Sequence, residues 1–123
     1  AKALGVKTRS FLDNFFEAGL TTKEARDSND ISRACYESMP NRTIKSPSSL
    51  DDRYIHEDVG YGLVPMSELG RMVQVSTPTI DAIIRLVSDA TEIPYYSDGL
   101  TLEKMGINNL DKDSLQRYIT QGS

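Results

Sequence analysis

Thr77-Pro78-Thr79-Ile80-Asp81-Ala82-Ile83-Ile84-Arg85-Leu86-Val87 is the stretch on which the fold turns. Threonine followed by proline is a helix start: the threonine suits the cap, and proline suits the first helical position, where its missing N–H has no partner to lose. Ile80, Ile83, Ile84 and Val87 then fall at i, i+3, i+4 and i+7, the apolar stripe of an amphipathic helix. Pro94 stops it.

The same signals recur on both sides. Pro65 suits the start of a helix carrying Met66, Leu69, Met72 and Val73. Before it, Ser49 opens a helix whose apolar side is Leu50, Tyr54, Ile55 and Val59. Gly60, Gly62 and Pro65 follow closely, so that helix must end, kink or loosen there. Thr8 or Ser10 caps a helix with Phe11, Leu12, Phe15 and Phe16 on one face, ended by Gly19. Lys23 to Asp27 reads as a polar connection or short turn, and Asp30 caps a helix from Ile31 to Met39, with Ile31, Ala34 and Cys35 on its stripe and Pro40 at its end. Residues 41–49 read as a loop. Downstream, Thr101 to Met105 is a helical turn closed by Gly106, and Asp111 caps a last helix ended by Gly122. Its inner face is Leu115, Tyr118 and Ile119, with Leu110 stapled onto Leu115. No segment alternates long enough to demand a strand. The fold expected is all-α, a single multi-helix bundle-like domain over residues 1–123.

Bulk properties narrow the function. A chain of 123 residues suffices for one hydrophobic core. The net charge of −4 disfavours nucleic acid and anionic membrane surfaces, which select clustered Lys and Arg. No apolar run approaches the roughly 20 residues of a membrane span, and no leader opens the chain. The single cysteine, Cys35, has no internal disulfide partner, which makes the cytoplasm the default compartment. Ala1-Lys2-Ala3-Leu4-Gly5-Val6 reads as the last turn of a helix closed by glycine. An unaided helix needs about 12 residues, so the expectation is a piece of something longer; the alternative is a processed end that frays.

Most catalytic signatures are missing. No phosphate-binding loop is present, and Gly60-Tyr61-Gly62 follows no strand and lacks the third glycine of a dinucleotide fingerprint. One His and one Cys make no zinc site, so no metal is expected. His56 reads as a solvated or helix-paired histidine, and Cys35 as a small core residue. Asn41-Arg42-Thr43 fits a glycosylation sequon that a cytosolic chain would not use. Ser67 to Ile80 scans like a helix-turn-helix, but Ile80 to Leu86 offers only Arg85 as a basic side chain, so DNA recognition is disfavoured. The densest polar run is Asp51-Asp52-Arg53-Tyr54-Ile55-His56-Glu57-Asp58. Arg53 and Glu57 stand at i and i+4 and suit an ordinary surface pair. Asp58 lies roughly 140° around a helix from Arg53, one turn after Tyr54 and beside Val59. It is expected to be partly buried and to need a partner, either a local cap or a group outside this chain.

The run Arg53-Tyr54-Ile55-His56-Glu57-Asp58-Val59-Gly60-Tyr61-Gly62-Leu63-Val64-Pro65 resembles the C-terminal helical domain of the octopine/nopaline (opine) dehydrogenase family. The resemblance continues through Ser67-Glu68-Leu69-Gly70, Thr77-Pro78-Thr79-Ile80-Asp81 and Thr101-Leu102-Glu103-Lys104-Met105-Gly106, and upstream through Tyr36 to Pro47. It implies a two-domain, NAD- or NADP-dependent oxidoreductase of which this chain is the helical substrate-binding domain. A Rossmann domain, not part of this sequence, would hold the cofactor, and this chain would hold none and be inactive alone. The reaction implied is reductive condensation of a 2-oxo acid with an amino acid. The resemblance places a substrate carboxylate on Arg53, whose planar fork suits it. It places on Asp58 the orientation and charge stabilisation of a catalytic histidine lying upstream of this sequence. It also admits a homodimer. Leu100 stands where many relatives carry Arg, so any role of that Arg is lost. A stand-alone helical protein-interaction module is the alternative from another class.

Overall fold

A computed structural model describes residues 1–122. Among the described residues every regular element is helical and none is a strand. The helices gather into two compact units, one holding Ala1 and residues 6–46, the other holding Lys2–Gly5 and the chain from Pro47 onward. The class is the one the sequence implies; the division into two units carries no periodic signal that would announce it.

The first unit is built from α1 (Phe11–Glu17), α2 (Lys23–Asp27) and α3 (Ile31–Tyr36), followed by a 3₁₀ turn at Pro40–Thr43. Ser10, Thr22 and Asp30 each cap a helix by accepting the backbone N–H three residues on. Lys23–Asp27 is therefore a helix and not merely a polar connection. Its one buried side chain, Ala25, joins Leu12 and Ala34 in a small core that Phe15 packs against. A single alanine leaves no apolar stripe to read. The third helix ends at Tyr36, short of the Met39 expected, and Ile31 is 55% exposed, so Ala34 carries the burial.

The second unit holds α4 (Arg53–Glu57), a π-helical turn (Asp58–Leu63), α5 (Val64–Met72), α6 (Pro78–Thr91), α7 (Tyr95–Asp98) and α8 (Lys112–Gln121). Ser49 does not open α4. Asp52 does, its carboxylate accepting the Tyr54 N–H at 2.9 Å, and Leu50 stays half exposed outside the helix. Of the three outcomes allowed at Gly60–Pro65, the helix loosens. Val64 donates to the Val59 carbonyl, five residues back, so the ladder widens one residue before Pro65. In α register the proline ring would press on the carbonyl of Tyr61, and Pro65 has no N–H to give it. The wide turn relieves both and lets one helical run continue from Arg53 to Met72.

Val59, Val64, Ile84 and Tyr95 are the buried centre of this unit, with Ile55, Leu63, Ile80, Val87, Ile93 and Tyr96 packed around them. The stripe on α6 thus delivers Ile80, Ile84 and Val87 to the core. Ile83 and Leu86, 41% and 70% exposed, face outward beside Ala82 and Arg85. That outward face is apolar with one basic group, unlike a helix that reads base edges. In α8 only Leu115 is buried, while Tyr118 and Ile119 are half exposed, so the expected inner face narrows to one residue.

Two glycines in this unit are there for lack of a side chain. A Cβ at Gly99 would stand 2.6 Å from the Gly60 carbonyl oxygen and 2.7 Å from that of Tyr95. A Cβ at Gly70 would stand 2.9 Å from the Val75 carbonyl oxygen. The first contact lets the backbone N–H of Leu100 reach the Gly60 carbonyl at 2.8 Å, fastening the segment after α7 to the π turn.

Candidate functional site

The residues of the Arg53–Pro65 run divide by direction. Val59, Gly60 and Val64 are buried and Ile55 packs on the core, so these hold the helix down. Arg53, Glu57, Asp58 and Tyr61 are exposed. Arg53 and Glu57 form the expected i, i+4 pair, loosely: Arg53 Nε lies 3.8 Å from Glu57 Oε1, with both side chains mostly in solvent. The Arg53 guanidinium also rests over the Tyr54 ring, 5.0 Å from its centroid. Such an exposed pair contributes a few tenths of a kcal/mol, so Arg53 is free to take a better partner.

Asp58 differs from expectation. Its side chain is exposed, not half-buried, because the helix turns Val59 and Gly60 inward at the start of the π turn and leaves position 58 outside. The carboxylate caps nothing: Asp58 is the C-terminal cap of α4 only through its backbone N–H, which donates to the Ile55 and Tyr54 carbonyls. Arg53 and Asp58 are thus both presented outward at the two ends of α4, with no bond between their side chains.

His56 lies between them and is more constrained than a solvated histidine. Its Nδ1 is 2.5 Å from the hydroxyl of Tyr95 and its Nε2 is 3.0 Å from Asp51 Oδ1. Tyr95 is 4% exposed, at the start of α7. The sequence offers no signal for this contact, since the partners stand 39 residues apart.

A second polar node, also unforeseen, joins α5, α6 and α7. Asp81 accepts hydrogen bonds from the hydroxyl of buried Ser67, from the Tyr96 hydroxyl at 2.6 Å and from Arg71 Nη2 at 3.3 Å. The Ser67 and Tyr96 hydroxyls, with Arg71 beside them, hold the Asp81 carboxyl below the usual carboxylate range. Burial, and then the bond to Asp81, push the Tyr96 phenol up. Glu68 accepts the backbone N–H of Leu102 at 2.5 Å, which ties the 101–106 turn to α5. Ser67, Glu68, Asp81 and Leu102 belong to the Ser67–Gly70, Thr77–Asp81 and Thr101–Gly106 segments, and with Arg71 and Tyr96 they hold helices together. A groove of about 1350 Å³ opens beside them, lined by Glu68, Arg71, Tyr96, Thr101, Lys104 and Lys112 among others. Arg53, His56 and Asp58 do not line it. The candidate site is therefore an exposed helix face.

Nothing in this face suits a dinucleotide. Gly60 and Gly62 sit inside a helical turn, and Gly60 is buried against the Tyr95 ring, so their backbone is not open to a phosphate. Among the described residues no group of three or more His, Cys, Asp or Glu is placed to hold a metal ion. Cys35 is a free, half-buried thiol. No helix of the described residues is long and apolar enough to cross a membrane.

Comparison with known proteins matches residues 1–91 to the family described as NAD/NADP octopine/nopaline dehydrogenase, alpha-helical domain. The opine dehydrogenase of Arthrobacter sp. (strain 1C) is 49% identical over 69 residues, 56% of this chain. Those residues span 19% of that relative's length. An all-helical architecture, the Arg53–Pro65 run on its loosened helix, and a family match over most of the chain lead to one conclusion: the chain belongs to the alpha-helical domain family of the NAD/NADP octopine/nopaline dehydrogenases.

Proposed function

We propose that this chain is the helical substrate-binding domain of an NAD(P)-dependent opine dehydrogenase-like oxidoreductase, which reductively condenses a 2-oxo acid with an amino acid. The observation that carries the reading is the division within the Arg53–Pro65 run. Its apolar members and Gly60 face the core, while Arg53 and Asp58 face out with their charges uncommitted or weakly paired. Uncommitted charges on a well-anchored helix are available to a group outside the chain.

In this reading a Rossmann domain of the same parent chain holds the nicotinamide cofactor, which supplies the hydride. This chain's residues bind and orient. Arg53 exchanges its loose contact with Glu57 for a substrate carboxylate, which its fork meets with two parallel bonds. Asp58 accepts a hydrogen bond from a histidine of the partner domain, fixing its tautomer and stabilising its protonated form. The helical face then closes one side of a cleft that the other domain completes. Two carboxylates distinguish the condensed product, and Arg53 is matched to one of them. The compartment that suits the reading is the cytoplasm, where Cys35 stays reduced.

The test is a reduced-cofactor oxidation assay on the longest natural chain that contains residues 1–123, with 2-oxo acid and amino acid supplied separately and together. Oxidation that requires both substrates is expected. Oxidation with the 2-oxo acid alone, yielding a hydroxy acid, would replace the condensation by a simple carbonyl reduction. The isolated chain is expected to be inactive.

A further inference from the structure

α4 is the five-residue start of the helical run from Arg53 to Met72, and the π turn follows it directly. A π turn can revert to α register by slipping one residue, and a one-residue slip rotates whatever precedes it by about 100°. Arg53 and Asp58 are carried on that slippable piece, so something must fix its azimuth. The turn itself is pinned at Gly60, whose carbonyl takes the Leu100 N–H at 2.8 Å and over which the Tyr95 ring packs. One turn upstream, and alone among the described residues, a long-range side-chain bond ties α4 down: His56 to Tyr95 at 2.5 Å, with Asp51 on the other ring nitrogen at 3.0 Å. His56 sits three residues after Arg53 and two before Asp58, so fixing its ring fixes both.

We propose that Asp51, His56 and Tyr95 form a latch that sets the rotation of α4 and so aims Arg53 and Asp58; His56 and Tyr95 are positioning residues for the site, not catalytic ones. The proposal rests on the roles assigned to Arg53 and Asp58. Tyr95 suits the task because it belongs to the buried centre of the unit while its hydroxyl reaches the surface helix. One residue thereby transmits the core's rigidity to the site. Asp51, with its side chain in solvent, orients the ring and does not anchor it.

The variants are Tyr95→Phe, which removes one oxygen, His56→Leu, which removes both bonds, and His56→Asn, whose amide reaches the place of Nδ1 and keeps the Tyr95 contact. They are made in the longest natural chain containing these residues and read by steady-state kinetics and by hydrogen exchange across residues 53–60. Displacements on the scale of an ångström cost about a hundredfold in rate when geometry is critical. Tyr95→Phe and His56→Leu should therefore lower kcat by roughly tenfold or more, with faster exchange in α4, and His56→Asn should stay near wild type in both. An active wild type whose kcat is equal in all three variants would overturn the latch. Loss in all three alike, His56→Asn included, would also overturn it, since a His-specific role would then replace positioning. A wild type inactive with every 2-oxo acid and amine pair would overturn the functional reading instead. The exchange rates then decide the latch by themselves: unchanged α4 protection in Tyr95→Phe and His56→Leu sinks it.

Discussion

Replacing Gly99 by alanine should damage the second unit severely, and replacing Gly62 should not. The Cβ of Gly99→Ala would meet two backbone oxygens, at 2.6 and 2.7 Å, and Val64 Cγ2 at 3.1 Å. Ordinary contact begins at 3.4 Å, so relief demands a shift of 3.4 − 2.6 = 0.8 Å between two backbone segments. Those segments are joined by the Leu100–Gly60 hydrogen bond at 2.8 Å, which cannot survive such a shift unstrained. Overpacking costs about 1–3 kcal/mol, and the weakened buried bond adds about 1 kcal/mol. For a cooperative unit of this size 1 kcal/mol lowers Tm by about 4–8 °C, so a fall of roughly 10–30 °C is expected. At Gly62 nothing lies within 4 Å of the added Cβ. There the higher helix propensity of alanine adds up to about 1 kcal/mol, a small rise in Tm. Thermal melts by circular dichroism measure both. A Gly99→Ala chain melting within two or three degrees of wild type, by the same estimate, would refute the account of how α7 is fastened to the π turn.

Three further outcomes are expected. Asp81 ionises below the ordinary carboxylate range because Ser67, Tyr96 and Arg71 bond its charged form. Its contribution to stability is therefore present above the unfolded value of about 3.9 and is lost as pH falls through the lower folded value. Acid titrations of Asp81→Asn should show a shallower loss of stability below about pH 4, with identical slopes counting against the node. Arg53→Lys should mainly raise the apparent KM for the acidic substrate, because an ammonium cannot reproduce the two-pronged bond; unchanged kinetics would remove the carboxylate role. Asn at Asp52 should be tolerated, since Asn also caps helices well, whereas Asp52→Ala should destabilise α4 by about 1 kcal/mol, seen as faster amide exchange at Tyr54–Glu57.

Helix existence was legible wherever a start signal and an apolar stripe coincided, although the Thr77 hydroxyl makes no cap bond and proline at the first position carries the start of α6. Thr77-Pro78 with Ile80, Ile84 and Val87, and Asp111 with Leu115, gave α6 and α8. Short helices without a stripe were not legible: α2 rests on Thr22 and one buried alanine. The start of α4 was misplaced because Ser49 and Asp52 are both competent caps: Ser49 spends its hydroxyl on the Asp51 carbonyl, and Asp52 accepts the helix N–H. The glycines and Pro65 announced a break in the helix but not its form, since only the ladder geometry distinguishes a kink from a π turn. Arg53 and Asp58 were singled out only through the motif they belong to, and the structure shows both exposed. The burial expected for Asp58 failed because Tyr54, one turn before it on the same face, is itself 39% exposed, so sharing that face confers no burial. The His56–Tyr95 and Asp81–Tyr96 bonds join elements distant in sequence and have no local pattern at all.

The exposure of Asp58 makes the central claim directly testable. An exposed side chain with no hydrogen bond or ion pair among the described residues can be altered with little effect on folding, so any large effect on turnover reports its role toward another group. Asp58→Asn, an isosteric loss of charge, should lower kcat of the full-length enzyme by about a hundredfold or more while leaving its melting temperature essentially that of wild type. Unchanged turnover, or losses of turnover and stability in parallel, would contradict the assignment of Asp58 to the active site.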